Sequence, residues 1–405
     1  MKILFATLLL PHPYADHASS FTVFKMIRHL SERHEVSLVS FVRTEEERGY
    51  VKDLRPYCKR VETVLLPQDA FMKYRVMAKL FSMVPMAVSS CYSREMKDAI
   101  HSLVSENAFD IVQIEYAPMG QYIYDIKDVP AVINVHDLIS VAAKKISASL
   151  GFSRKKFEWF IDSLVSSSYE AGLYRQFSKV IAISESVKKQ LLACNPSMNI
   201  SVISPGVDIP DIQRSYPRDM GLRLIFMGAM WRYENIEAVL SFYHSAFARI
   251  RGEVPDVKLC IAGGAPSDEI KKLAADTSVT VTGFVDDILP YYIESDISVA
   301  PMHIGGGVQC KILDAMAAGL PVVTTSQGNE GICAVHEKDI VVADTPESFA
   351  ERTIELIKSS ELRKKISHNA INFVRNNFGW DQAIERLEAV YHECMLKIDE
   401  QGGRT

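Results

Sequence analysis

Read as apolar and polar positions, the chain alternates two rhythms. Short runs of β-branched and aliphatic residues predict strands: "KILFATLLL", "HEVSLVSF", "RVETVLLP", "FDIVQIE", "PAVINVHD", "KVIAIS" and "ISVIS", then "LRLIFMG", "VKLCIAGG", "SVTVTGFV", "DISVAP", "PVVTT" and "DIVVAD". Between them lie stretches with apolar residues three and four apart. One is 19–33, where Phe21, Phe24, Ile27 and Leu30 share a helical face. The alternation predicts βα units and parallel sheets with helices on both faces.

The series restarts after "SPGVDIPDIQRSYPRDMG", a stretch rich in Pro, Gly and Asp that reads as a linker. At 405 residues the chain is too long for one ordinary core. The expected fold class is α/β, with two Rossmann-like doubly wound domains facing each other across a cleft. Ligands then belong beyond the C-terminal strand ends, in that cleft. The opening "MKILFATLLLPHP" is read as a buried first strand rather than a signal peptide, because the run is short and has no small-residue cleavage site.

Composition narrows the function. Hydrophobic residues make up 48% and charged ones 23%, as in soluble globular proteins. A net charge of -5 argues against a nucleic-acid partner. The seven cysteines are scattered without a C-x-x-C pair, which fits neither a zinc site nor a disulfide framework and points to the cytoplasm. No apolar window is long enough for a transmembrane helix.

One stretch carries chemistry: "GGGVQCKILDAMAAGLPVVTT", residues 305–325. A strand ends at Pro301. Gly305, Gly306 and Gly307 allow close backbone approach, and a helix is expected from Val308, so the pattern outlines an anion site. Lys311 falls in the first turn, with Asp314 one turn later on the same face. A cation for phosphate oxygens and a carboxylate for ribose hydroxyls fit a nucleotide. The same spacing also fits a plain turn followed by an exposed Lys311–Asp314 ion pair.

The wider pattern resembles the GT-B glycosyltransferases, in particular glycosyltransferase family 4 (group 1). The segment "VTGFVDDILPYYIESDISVAPMHIGGGVQCKILDAMAAGLPVVTTSQGNEGI" is similar to that family's donor-binding half. "VIAISESVKKQL", "VISPGVD", "LIFMGAMWRYENIEAVLSF" and "FGWDQAIERLEAVY" match further landmarks in order. The resemblance implies an acceptor-binding domain over 1–205 and a donor-binding domain over 206–378. A C-terminal helix over 379–398 would pack back on the first domain, with a disordered tail over 399–405.

It also implies transfer of a sugar from a nucleotide-diphosphate donor to a hydroxyl acceptor, with retention and with no metal or other cofactor required. The setting would be cell-surface glycan or polysaccharide synthesis. Of the family's two donor-facing glutamates, the ribose-binding one corresponds to Asp314. The sugar-binding one falls on Gly306, which has no side chain, and Glu330 in "SQGNEGI" is the available replacement. Lys311 matches a helix lysine near the phosphates, and Gly305, Gly307 and Val308 would supply backbone contacts. Arg232 stands near the family's phosphate-binding basic pair, or in a solvated loop. His136 matches a strand-end histidine near the donor sugar, with Asp137 orienting it or capping the next helix. Base contacts are expected at Gly283 and Phe284, the latter under the base or in the core.

The acceptor is expected to be a hydroxyl on a lipid-linked or glycan intermediate. The apolar and basic segment 69–92, with Met72, Met77, Met83 and Met86, would either touch a membrane surface peripherally or pack on the sheet as an amphipathic helix. Two other readings compete: an inactive nucleotide-sugar-binding subunit, suggested by Gly306, and a GT-B-like nucleotide-sugar epimerase.

Overall fold

The computed structural model describes residues 1–15, 18–67, 83–151, 153–212, 222–303 and 308–402. Every apolar run named above becomes a parallel strand, and the chain divides into two compact units. The first comprises Met1–Pro205 and Ala383–Thr405, the second Gly206–Gln382.

In the first unit the strands are β1 (Lys2–Thr7), β2 (Glu35–Val42), β3 (Arg60–Leu65), β4 (Ile111–Glu115), β5 (Ala131–Val135), β6 (Lys179–Ala182) and β7 (Ile200–Val202). They lie in the order β3-β2-β1-β4-β5-β6-β7. Strand β1 is central, with Ile3 opposite Val36 on one side and Ile111 on the other. Ile3, Leu4, Phe5 and Ala6 are wholly buried, as expected of an unbroken apolar run covered on both faces.

The second unit repeats the plan with β8 (Arg223–Met227), β9 (Lys258–Ala262), β10 (Val279–Val281), β11 (Ile297–Ala300), β12 (Val322–Thr324) and β13 (Val341–Val342), ordered β10-β9-β8-β11-β12-β13. In both sheets the first strand of the unit sits beside a later one, β1 by β4 and β8 by β11. The connections leave in opposite directions there, and the C-terminal strand ends open a crevice.

The last helix, Trp380–Gly402, belongs to both units. It runs past the expected end at 398, since Glu400 and Gln401 are good helix formers. At its start Trp380 packs flat against Gly206, where an added Cβ would lie 2.3 Å from the ring. Further on, Ile384, Leu387, Tyr391 and Cys394 are buried in the first unit. Glu388 binds His34 at 2.8 Å and Arg33 at 3.3 Å, and Glu393 binds Lys179 at 2.8 Å.

The end of β9 packs its backbone on the end of β8. Gly263 has φ +143, and a Cβ there would fall 1.8 Å from the Gly228 carbonyl oxygen. Gly263→Ala should therefore destabilise the second unit by about 3 kcal/mol, read as a lowered midpoint in urea. An unchanged midpoint would show that these strand ends separate without cost.

Candidate active site

In the first unit the strand ends beyond β4 and β5 hold a buried polar network. Glu115 closes β4 and is wholly buried. His136 follows β5, and its Nε2 lies 2.8 Å from Glu115 Oε2. Asn134 donates to the same carboxylate at 3.1 Å, and the Gln113 amide donates as well. The Tyr391 hydroxyl, from the last helix, in turn donates to Gln113 Oε1. Burial, with the Glu115 charge nearby, holds the Tyr391 phenol well above its ordinary value, so it remains a donor. Among these partners only the imidazole can carry a positive charge. The geometry makes Glu115–His136 a buried pair whose remaining acceptor sites are filled by neutral amides.

The loop bearing His136 is fixed from two sides. Tyr116 takes a left-handed φ of +73 directly after β4 and stacks on the imidazole, with centroids 4.6 Å apart. A non-glycine residue held there stores of order 1–3 kcal/mol of strain. The helix Ile139–Ser149 has Leu138 as its cap, without a side-chain bond. Its first amides donate instead to the buried Glu170 carboxylate, Ile139 at 2.7 Å and Ser140 at 3.2 Å. The roles expected of Asp137 thus fall to others: Glu115 orients the imidazole, Glu170 caps the helix, and Asp137 lies exposed.

In the second unit the helix expected from Val308 runs over Cys310–Ala317, capped by the extended residue Gln309. Val308 packs at the edge of the core instead. Lys311 points inward. Its ammonium donates to Asn235 Oδ1, lies 3.5 Å from Met302 Sδ and 5.4 Å from the centre of the Phe226 ring. Asn235 sits on the helix Tyr233–Phe242 that follows β8 and is steadied by a 2.9 Å bond to the Ala229 carbonyl. Room for it comes from Gly228, where a Cβ would meet Asn235 Nδ2 at 2.8 Å.

Among the described residues Lys311 has no carboxylate within ion-pair distance. Burial, reinforced by the Arg232 charge, pushes its ammonium down from an ordinary 10.5 to about 8. This is a desolvated cation lacking an anion, so the exposed Lys311–Asp314 ion pair does not describe it.

The other sequence-selected residues scatter around these two centres. Arg232 precedes the helix of Asn235 and pairs with Glu234 at 2.6 Å. Asp314 lies on the same helix as Lys311, near the buried Tyr292, whose hydroxyl donates to the Lys311 carbonyl at 3.3 Å. Gly283 has φ +72, and Phe284 is 77% exposed, so the core reading of Phe284 is wrong. The ring instead stands over Gly264 at the ends of β9 and β10, since Gly283 turns the chain outward. Glu330 is exposed and accepts from Gln327 at 2.7 Å. Gly305, Gly306 and Gly307 lie outside the described residues, as does most of the 69–92 segment.

Sequence reasoning missed Glu115, Asn235, Glu170 and Tyr391. Only Asn235 had a signal, standing inside the family-like "ENIEAVL" run without an assigned role.

Two family descriptions match the chain: Glycosyltransferase Family 4 over residues 20–210 and Glycosyl transferases group 1 over residues 221–359. A Klebsiella pneumoniae protein known as an uncharacterized 44.6 kDa protein in a cps region is 24% identical, over 93% of this chain and 96% of its own length. An uncharacterized glycosyltransferase of Methanocaldococcus jannaschii is 24% identical over 60% of this chain and 64% of its own. Among solved structures, sucrose-phosphate synthase from Thermosynechococcus elongatus superposes with a TM-score of 0.67 at 14% identity, covering 98% of this chain and 100% of that one. Anabaena HepE, in complex with UDP and glucose, gives 0.63 at 16% identity, covering 96% and 98%.

Truncating Glu115 to Ala strands His136 and two buried amides. It should cost about 3 kcal/mol in urea denaturation, with Glu115→Gln milder because the shape is kept. A loss below about 0.5 kcal/mol in Glu115→Ala would show that the network is not coupled to the fold.

Lys311 has a lower proton affinity folded than unfolded. Between about pH 8 and 10.5 the unfolded chain therefore binds more protons, and the ligand-free protein should gain stability as pH rises through that window. Anion binding runs the other way, since only the protonated form attracts. Affinity for sulfate, an anion that does not itself titrate there, should fall as pH rises through about 8, and the dependence should vanish in Lys311→Met. An identical pH slope in the variant would remove Lys311 from the anion site.

Proposed function

The chain belongs to the family 4, group 1 glycosyltransferases of GT-B fold, and from that premise we propose that it moves a sugar from a nucleoside-diphosphate donor to a hydroxyl on a glycan or lipid-linked glycan, with retention and without a metal ion. The observation that carries this reading is Lys311, a largely buried ammonium with no carboxylate partner among the described residues. A diphosphate supplies the anion it lacks. As the glycosidic bond breaks, charge grows on the leaving nucleoside diphosphate. Lys311, oriented by Asn235, and the first amides of the Cys310–Ala317 helix would stabilise that charge where it develops.

Asp314, one turn on, takes the ribose hydroxyls. Backbone at Gly283 and the exposed ring of Phe284 receive the base, and Arg232 adds positive potential near the phosphates. Glu330 and backbone at Gly305–Gly307 attend the sugar. His136 contacts the sugar as well, held rigidly by Glu115 and Tyr116. The leaving phosphate takes the acceptor proton, so no enzymatic nucleophile is required. The UDP and glucose in the HepE complex and the cps-region setting of the Klebsiella relative support a nucleotide sugar and a role in polysaccharide assembly, in the cytoplasm or at the inner face of its membrane.

The roles proposed in the two units are separable by mutation. Asp314→Ala should weaken nucleoside diphosphate binding by about 1.5–3 kcal/mol in calorimetry, with Asp314→Glu nearly neutral. His136→Ala should leave that affinity intact and lower the acceptor-dependent release of nucleoside diphosphate. Unchanged affinity in Asp314→Ala, together with unchanged turnover in His136→Ala, would overturn the assignment.

A further inference from the structure

The helix Arg154–Leu173 is amphipathic the wrong way round. Its polar side is buried: Asp162, Ser163, Ser166 and Glu170 face the protein. Asp162 accepts from the Met86 amide at 3.0 Å, and Glu170 caps the neighbouring helix. Its apolar stripe faces out. Phe157, Phe160, Ile161 and Leu164 are spaced i, i+3, i+4 and i+7 and are 65%, 49%, 42% and 55% exposed. A helix packed only against its own domain buries such a stripe.

Positive charge borders the stripe. The partner helix Ile139–Ser149 is held alongside, Ser147 Oγ donating to the Lys156 carbonyl at 3.0 Å. It brings exposed Lys144 and Lys145, followed by Ile146 at 39% exposure. Lys155 and Lys156 stand at the start of the stripe. These four lysines have no carboxylate partner among the described residues, whereas Arg154 is paired with Glu158 at 2.9 Å. No helix among the described residues is long and apolar enough to cross a membrane.

We propose that the outward face of the two helices 139–149 and 154–173 is a docking surface for an anionic lipid bilayer, with Phe157, Phe160, Ile161 and Leu164 entering the interface and the four lysines meeting the headgroups. An apolar stripe beside unpaired lysines is the arrangement that binds a negatively charged interface. A second copy of the chain fits less well, because a two-fold contact across this stripe brings the same lysines together. The surface lies on a different part of the chain from segment 69–92, and the proposal goes beyond sugar transfer, since it holds whatever the donor.

The test is sedimentation of the full chain with vesicles of mixed phosphatidylcholine and phosphatidylglycerol, and with phosphatidylcholine alone. Wild type should bind the anionic vesicles, and high salt should weaken that binding. The double substitution Phe157→Ser, Phe160→Ser should lower it at least about tenfold. The substitutions Lys144→Glu, Lys145→Glu and Lys155→Glu together should do the same for anionic vesicles only. Nucleoside diphosphate affinity, measured on every variant, should not change. Its loss would report a damaged fold, and its absence in wild type would count against the transferase assignment without touching the lipid result. Equal vesicle binding by wild type and the serine variant would overturn the proposal, as would no binding by wild type. A concentration-dependent dimer dissolved by the serine substitutions would assign the face to a second copy. A large drop in melting temperature with vesicle binding unchanged would mean that the chain itself covers the stripe.

Discussion

A carboxylate sealed from water at the end of β4 has to be met by donors, and the N-terminal unit is arranged to provide them. Glu115 draws Asn134 and His136 from β5, Gln113 from its own strand and, through Gln113, the Tyr391 hydroxyl from a helix more than 250 residues away in sequence. Leaving such a charge unpaired in a low-dielectric interior costs several kcal/mol. The requirement therefore fixes the register of two strands, the side-chain position of the histidine and the seating of the last helix together.

The second unit sets the opposite condition. There the buried group is a cation, and among the described residues it meets an amide oxygen, a thioether and an aromatic face. These groups keep Lys311 oriented, while burial and the nearby Arg232 charge, only partly offset by Glu234, depress its proton affinity. Glu115 is satisfied and serves to hold a neighbour. Lys311 has no paired carboxylate among the described residues.

The strands were legible because parallel sheets covered on both faces need unbroken apolar runs, and each such run stands out against its surroundings. His136 and Lys311 could be selected because each follows a strand end in a recognisable motif. What could not be read were partners distant in sequence. Nothing local marks Glu115 as the group that holds His136, since a Glu closing "VQIE" reads as an ordinary polar strand end. Tyr391 is one apolar position among several on its helix, and its hydroxyl acquires meaning only once Gln113 is beside it. Asp137, adjacent to His136, was the natural guess for work that Glu115 and Glu170 perform. Phe284 was ambiguous because aromatic residues serve cores and surfaces alike, and the positive φ of Gly283 decides which way it turns.

The shared last helix also sets an order of events in synthesis. Chains emerge N-terminus first and domains fold as units, yet the first unit is not finished when Pro205 leaves the ribosome. Its sheet still lacks Ile384, Leu387, Tyr391 and Cys394, and the Glu115 network lacks its last donor. The second unit is contiguous over Gly206–Gln382 and has all of its residues before that helix is complete. The domain translated first is thus the one closed last, and its strand ends stay open until residues 383–394 have been made.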